Sequence, residues 1–219
     1  MKGPRYRLVA FDLDGTLVAH HEPIWKTLHE ACGSDLKRRK AVIKAALAGE
    51  ISYAEWFAAD LQMLQDAGAT RSLIAALVAD LSPTPGALEL VRDLKASGAH
   101  VAVISGGVRI VADSLFPTQP FDALLINRLE YDEAGALKGG EATPFDREHK
   151  VAGLEMLAGR WRVPIEECAF VGDGPNDVAV AERAGFSIAW GDAHPELIAS
   201  ADLHVQATHL DALRPHLFL

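Results

Sequence analysis

The 219 residues hold little sulfur. The only cysteines are Cys32 and Cys168, far apart and without metal-ligand spacing, so two reduced thiols in a reducing compartment are expected. Long apolar runs are also missing. No stretch approaches the roughly 20 apolar residues needed to span a bilayer. Positive charge is scarce: 21 Lys and Arg face 30 Asp and Glu, a formal net charge of -9. That excludes the basic footprint of a nucleic-acid binder and argues against anionic membrane surfaces. An anionic small molecule would have to be held by a metal and a few local cations, not by the overall field. There is no internal repeat and no low-complexity segment. Met1 to Arg7 is short, basic and polar and runs straight into an apolar strand, with no apolar leader and cleavage site, so the expected setting is cytoplasmic. What remains is ordinary globular composition, 49% hydrophobic and 23% charged, in a chain long enough for a core domain and a modest second unit.

The organising stretch is Leu8-Val9-Ala10-Phe11-Asp12-Leu13-Asp14-Gly15-Thr16. A short apolar run ending at turn residues reads as a buried parallel strand, and ligands of open α/β sheets bind beyond the carboxyl ends of such strands. After it the period turns helical. Ile24, Trp25, Leu28 and Cys32 mark one helix stopped by Gly33. Leu36, Ile43 and Leu47 share the face of a second, capped by Ser34 or Asp35. Ser52-x-x-Glu55 is a capping box opening a third helix with Tyr53, Phe57, Leu61 and Leu64, and Thr70 caps a fourth. No strand is expected between about residue 20 and Pro83. Ser82-Pro83-Thr84-Pro85-Gly86 forms a hinge, after which helices and strands alternate: a strand over 100–104 followed by the turn Ser105-Gly106-Gly107, a strand over 121–126, a hairpin near 127–138, a helix through Lys150 capped by Asp146, and a strand over 168–171. That alternation predicts an α/β fold, a doubly wound parallel sheet with right-handed crossovers.

Three strand ends carry polar groups suited to a phosphate. Asp12 and Asp14 would repel each other unless a divalent cation let both stay ionised; the bland alternative is an acidic turn cap. Ser105-Gly106-Gly107 would let backbone N–H groups approach an anion at a helix start, or is an ordinary strand–helix turn. Gly172-Asp173-Gly174-Pro175-Asn176-Asp177 sets two acids four apart, fit for a hard cation, or is a sharp turn with an Asx cap. Lys150 lies on the helix leading into the 168–171 strand and should project toward the same edge, although a lone helix lysine is usually solvated. The conjunction of all four is what carries weight.

Together these motifs resemble the haloacid dehalogenase superfamily phosphatases, in their phosphoserine-phosphatase-like branch, over nearly the whole chain from Phe11-Asp12-Leu13-Asp14-Gly15-Thr16 to Gly172-Asp173-Gly174-Pro175-Asn176-Asp177. The resemblance implies a Rossmann-like core of residues 1–17 and 84–219 and an inserted helical C1-type cap of residues 18–83. It implies a Mg²⁺-dependent phosphomonoesterase acting on a small phosphorylated metabolite, as a monomer or homodimer. Asp12 would be the nucleophile, forming an aspartyl phosphate, and Asp14 the acid and then the base. Ser105, Gly106 and Gly107 would hold phosphate oxygens and Lys150 would neutralise charge. Asp12, the Asp14 carbonyl and Asp173 would ligate Mg²⁺, while Asn176 and Asp177 support the phosphate and the ligands.

The cap departs from the phosphoserine pattern. The glutamate expected nine residues after the nucleophile is His21, with Glu22 one later. The helix holding Tyr53 to Leu64 has Glu55 and Asp60 where a carboxylate-clamping arginine is expected; Arg38, Arg39 and Arg71 fall on other helices. A phosphorylated alcohol with a cationic or neutral head group therefore fits at least as well. Tyr53, Trp56 and Phe57 would line its pocket or pack inside the cap. His20-His21 reads as an exposed hinge, not a metal site, and Arg109 as either a phosphate contact or a solvated position. Two other functions share these residues: a phosphotransferase passing the group to a second alcohol, and a receiver-like phosphoaspartate module. A receiver has neither the helical insertion nor an acid two residues past its phosphoacceptor.

Overall fold

The computed structural model describes residues 3–19 and 23–219. Strand β1 (Leu8–Phe11) is followed by four helices, α1 (Ile24–Cys32), α2 (Leu36–Leu47), α3 (Tyr53–Asp66) and α4 (Arg71–Ala79). Then come α5 (Ala87–Ala96), β2 (His100–Val108), α6 (Arg109–Leu115), β3 (Ala123–Tyr131), β4 (Leu137–Glu141), α7 (Lys150–Trp161) and β5 (Cys168–Gly172). The chain closes with α8 (Val178–Arg183), β6 (Phe186–Trp190), α9 (Pro195–Ser200), β7 (Leu203–Val205) and α10 (Arg214–Leu217). The seven strands order as β4-β3-β2-β1-β5-β6-β7. All neighbours are parallel except β3 and β4, so the expected hairpin adds one antiparallel edge.

β1 sits between β2 and β5, with Phe11 level with both Val103 and Val171. The chain winds one way from β1 through β3 and the other from β5 through β7, so the strand order reverses between β1 and β5. Ligand crevices open at such a switch point. Leu8 to Phe11 are fully buried because helices cover both faces of a parallel sheet.

The local signals upstream fold as their chemistry dictates. Gly33 closes α1 in the left-handed conformation, Asp35 caps α2, the Ser52–Glu55 box is formed at both of its bonds, and Thr70 caps α4. One expectation fails: α2 buries no side chain, and Leu36 and Leu47 are 47% and 59% exposed. Its apolar spacing is real, but on that face Leu36 and Leu47 stay open and Ile43 is half-buried. The two chain segments joining the four helices to the sheet run side by side. Ala19 N–H donates to the Ser82 carbonyl, Thr84 N–H to the Leu17 carbonyl, and the Thr84 hydroxyl to the Thr16 carbonyl. Phe57, Leu61, Leu64, Ile74 and Val78 of the helices join the apolar cluster that covers one face of the sheet.

A second correction concerns Ser105-Gly106-Gly107. These residues do not follow β2; they lie inside it, as an irregularity in its pairing with β3 between Ile104 and Val108. The helix starts only at Arg109. The donors of this loop are therefore those of a bulged strand, not of a helix N-terminus.

Candidate active site

Asp12 stands one residue past β1, its N–H still donating to the Val171 carbonyl. The strand pair thus fixes where its carboxylate points. Lys150, at the start of α7 and fully buried, donates from Nζ to Asp12 Oδ1 and to Asp177 Oδ1, both at 2.6 Å. Asp177 is held in turn by its other oxygen, which accepts from the N–H groups of Asp173 (3.0 Å) and Gly174 (2.9 Å). Asp173 accepts a 2.7 Å bond from the Thr16 hydroxyl. Gly15, at φ +82°, lies so close that a Cβ there would meet Asp173 Oδ2 at 2.1 Å, so both its dihedral and the approach of the acid require glycine.

Carboxylate oxygens of Asp12, Asp173 and Asp177 lie within 4.8 Å of one another. Burial raises the Asp12 carboxyl well above its ordinary value; Lys150 opposes this, and Asp177 and Asp173 add to it. Asp173 is pushed up to about 7, by burial first and then by Asp177, against Lys150 and the Thr16 hydroxyl. Burial works against the Lys150 ammonium too, but Asp12, Asp177 and Asp146 outweigh it and raise its pKa. Lys150 is therefore a fixed cation facing more negative charge than it can balance. Converging hard oxygens with surplus charge fit a divalent metal ion, and this cluster could hold one, with Asp177 already tied through both oxygens to Lys150 and two main-chain N–H groups.

The Asp14 carboxylate is not part of that cluster. It turns toward β2, where a Cβ on Gly107 would come within 3.0 Å of its Oδ2, and it accepts a long bond, 3.4 Å, from Ile24 N–H at the start of α1. Among the described residues its buried Oδ1 has no hydrogen-bond partner. Burial pushes its pKa up to about 6, against the Ile24 N–H and Lys150. Asp12 and Asp14, one residue apart, thus occupy different environments: one beside an ammonium, the other beside an uncharged loop.

The Ser105 hydroxyl accepts from Gly107 N–H at 3.1 Å. Asn127, at the bend of β3, fixes this loop by donating from Nδ2 to the Gly106 and Gly107 carbonyls at 2.7 and 3.1 Å, and to the Tyr53 hydroxyl at 2.7 Å. Trp25 Nε1 also donates to the Gly106 carbonyl, at 2.8 Å. A Cβ on Gly106 would meet the Asp146 carboxylate at 2.3 Å. Asp146 does not cap a helix as expected: its side chain makes no capping bond and instead accepts from Asn176 Nδ2 at 3.2 Å.

Between the helices and this loop lies a small cleft lined by Trp25, Tyr53, Trp56, Phe57, Asp60, Gly106 and Asp146. Tyr53, Trp56 and Phe57, expected in a pocket or inside the cap, are among these residues, and Asp60 joins them. Asp60 Oδ1 faces Arg39 Nε and His29 Nε2, each at 3.2 Å, so an arginine does reach α3, from α2. Arg109 pairs with Asp113 on its own helix. Glu22 and His20-His21 lie outside the described residues.

The four predicted motifs therefore meet: Asp12, Lys150, Asp173 and Asp177 in one cluster, Asp14 and Ser105 to Gly107 beside it, and Asn176 behind, through Asp146. Sequence reasoning missed Asp146, Asn127, Thr16 and Trp25 as members. Asp146 carried a signal, an acid shortly before the lysine, Thr16 closes the first motif, and Asn127 opens the Asn127-Arg128-Leu129 segment that resembles the family's stretch after its third core strand; Trp25 is brought in by a tertiary contact.

The family model of haloacid dehalogenase-like hydrolases matches residues 6–185. A phosphoserine phosphatase of Idiomarina loihiensis is 32% identical over 211 residues, covering 93% of this chain and 90% of that one. A phosphoserine phosphatase of Mycobacterium tuberculosis is also 32% identical, over 208 residues; the match takes in 94% of this chain but 49% of that protein, so this chain spans about half its length. A solved structure of a phospho-aspartyl intermediate analogue of phosphoserine phosphatase superposes with a TM-score of 0.76 at 27% identity, covering 97% of this chain and 99% of that chain.

Proposed function

The chain belongs to the haloacid dehalogenase-like hydrolase family, and from that premise we propose that it hydrolyses a small phosphate monoester through a phosphoryl group carried on Asp12. The observation that carries this reading is the 2.6 Å contact of Lys150 with Asp12 inside the acidic cluster, next to the Ser105–Gly107 loop. Phosphoryl transfer needs in-line positioning and neutralised oxygens more than elaborate covalent chemistry. Strand-end fixation supplies the first and a buried ammonium the second.

In this reading an Asp12 carboxylate oxygen attacks phosphorus as the ester P–O bond breaks. Asp14, whose raised pKa keeps a proton available near neutrality, gives that proton to the departing alkoxide. The ionised Asp14 then takes a proton from water, whose oxygen attacks phosphorus and frees Asp12 and inorganic phosphate. Ser105 and the N–H groups of Gly106 and Gly107 hold the transferred oxygens. A divalent cation, Mg²⁺ in our reading, would be held by Asp12, Asp173 and the Asp14 carbonyl and would supply charge neutralisation at the phosphoryl group. Asp177 supports that set from behind, tied to Lys150 and two main-chain N–H groups. Asn176 keeps Asp146 in place against Gly106.

Residues 18–83 act as a cap over a core of residues 1–17 and 84–219, hinged where 17–19 run beside 82–84. Closure would shut water out during the first half-reaction. The setting is cytoplasmic in our reading, in keeping with two unpaired cysteines. Among the described residues no helix is long and apolar enough to cross a membrane. The test is release of inorganic phosphate from p-nitrophenyl phosphate. Turnover should need Mg²⁺, stop with EDTA and return on adding the metal back; undiminished turnover in EDTA would remove the cation from the scheme.

A further inference from the structure

The reading above leaves the alcohol unspecified, and the cleft beside Gly106 bears on it. Its lining is unusual in what it offers: four aromatic side chains, two carboxylates, and no lysine, arginine or histidine among the described residues. The rings stand as two edge-to-face pairs, Trp25 with Phe57 (centroids 5.6 Å apart, 87°) and Tyr53 with Trp56 (6.3 Å, 72°), and all four line the cleft. Aromatic faces carry partial negative charge and attract cations, most of all where water is excluded.

The acids reinforce this. Asp60 is 3% exposed, and its Oδ1 engages Arg39 and faces His29, each at 3.2 Å. Asp146 leans on Gly106, in the loop assigned to phosphate oxygens. An acid there adds negative charge beside the phosphate and favours a substrate that carries a positive charge close to it. Arg39, the cation that reaches this region, is committed to Asp60 and does not line the cleft. Among the described residues a substrate carboxylate would find two acids and no clamp in the lining. The cleft volume, about 50 Å³, takes three or four water-sized groups and so a compact head group.

We infer that the enzyme selects a monophosphate ester of a small amino or quaternary-ammonium alcohol that lacks a carboxylate, its cationic head seated among Trp25, Tyr53, Trp56, Asp60 and Asp146. This deepens the phosphomonoesterase reading and rests on it for turnover, but not for binding.

Two readouts keep the two claims apart. In the first, quenching of tryptophan fluorescence follows binding of phosphoethanolamine, phosphocholine, phosphoserine and glycerol 1-phosphate to the Mg²⁺-loaded full chain. In the second, kcat/KM is measured for the same four esters. A Kd and a kcat/KM at least tenfold better for one of the cationic esters than for phosphoserine and glycerol 1-phosphate are expected. A lead for phosphoethanolamine puts the weight on the two acids, and a lead for phosphocholine puts it on the rings. Selective binding without turnover of any ester would sink the hydrolase reading and leave this inference standing. Phosphoserine or glycerol 1-phosphate equal to or better than both cationic esters, in binding or in turnover, would overturn it. Two variants locate the preference: Asp146→Asn and Trp56→Leu should each cut the ratio of cationic to glycerol ester by fivefold or more. An unchanged ratio in both would equally overturn it.

Discussion

Lys150 and Arg39 are both basic side chains set against buried aspartates, yet they belong to different kinds of structure. Lys150 is completely buried and touches Asp12 and Asp177 at 2.6 Å, and both acids are themselves tied to strand ends and turn N–H groups. Arg39 keeps 11% of its side chain exposed and meets Asp60 at 3.2 Å, helix to helix, through side chains alone. The first arrangement inherits the rigidity of the sheet. The second can shift with the helices that carry it. The same pairing of a base with a buried acid is thus anchored to the backbone in one case and rests on side chains in the other.

The sharpest way to break this comparison is at the reacting atom. Asp12→Asn removes the nucleophilic oxygen, and turnover of p-nitrophenyl phosphate should fall by about 10³-fold or more with circular dichroism unchanged. Residual turnover near the wild-type level would move the nucleophile elsewhere. Next comes the rigid ion pair. Lys150→Ala strands buried carboxylates without a counter-charge and should cost about 3–5 kcal/mol in denaturant melts, together with most of the activity. The adjustable pair should matter less. Asp60→Asn leaves Arg39 able to reach water, and about 1–2 kcal/mol is expected in the same melts. A loss equal to that of Lys150→Ala would erase the distinction between the two pairs.

A further contrast is in pH. Burial raises Asp14 to about 6 and Asp173 to about 7, whereas unfolded carboxylates titrate near 4. Between those values the folded, metal-free chain holds more protons than the unfolded one. Its stability should therefore fall as pH rises from about 5 to 7, the reverse of an ion-paired acid. Mg²⁺ should flatten that slope, and thermal melts across the window with EDTA or Mg²⁺ check it. A stability that rises with pH in EDTA would contradict the excess negative charge of the cluster. The smallest effect is at the bond between α3 and β3. Tyr53→Phe removes one bond to Asn127 and should cost about 1 kcal/mol.

Elements with a local cause were legible early. The caps at Asp35, Ser52 and Thr70 and the stop at Gly33 depend on bonds within a few residues, which spacing alone reveals. Where spacing misled, a neighbour decided. Leu36 and Leu47 repeat as a core face would, but both stay exposed. Ser105 to Gly107 look like a turn after a strand, but pairing with β3 resumes at Val108 and keeps them inside it. Asp146 looks like a cap, but Asn176 from another loop claims its carboxylate.

The sequence by itself determined the α/β alternation, the helical insertion, and the four motifs whose family resemblance the comparisons bear out, because each is encoded in short-range periodicity or in a contiguous run of residues. Only the tertiary structure decided that Asp12 and Asp14 face different surroundings, that Asn127 and Trp25 brace the Gly106 loop, and that four rings and two acids share one cleft. Those facts depend on which strand ends and helix faces meet across more than a hundred residues of chain, and the geometry of packed elements, not any local pattern, sets that meeting.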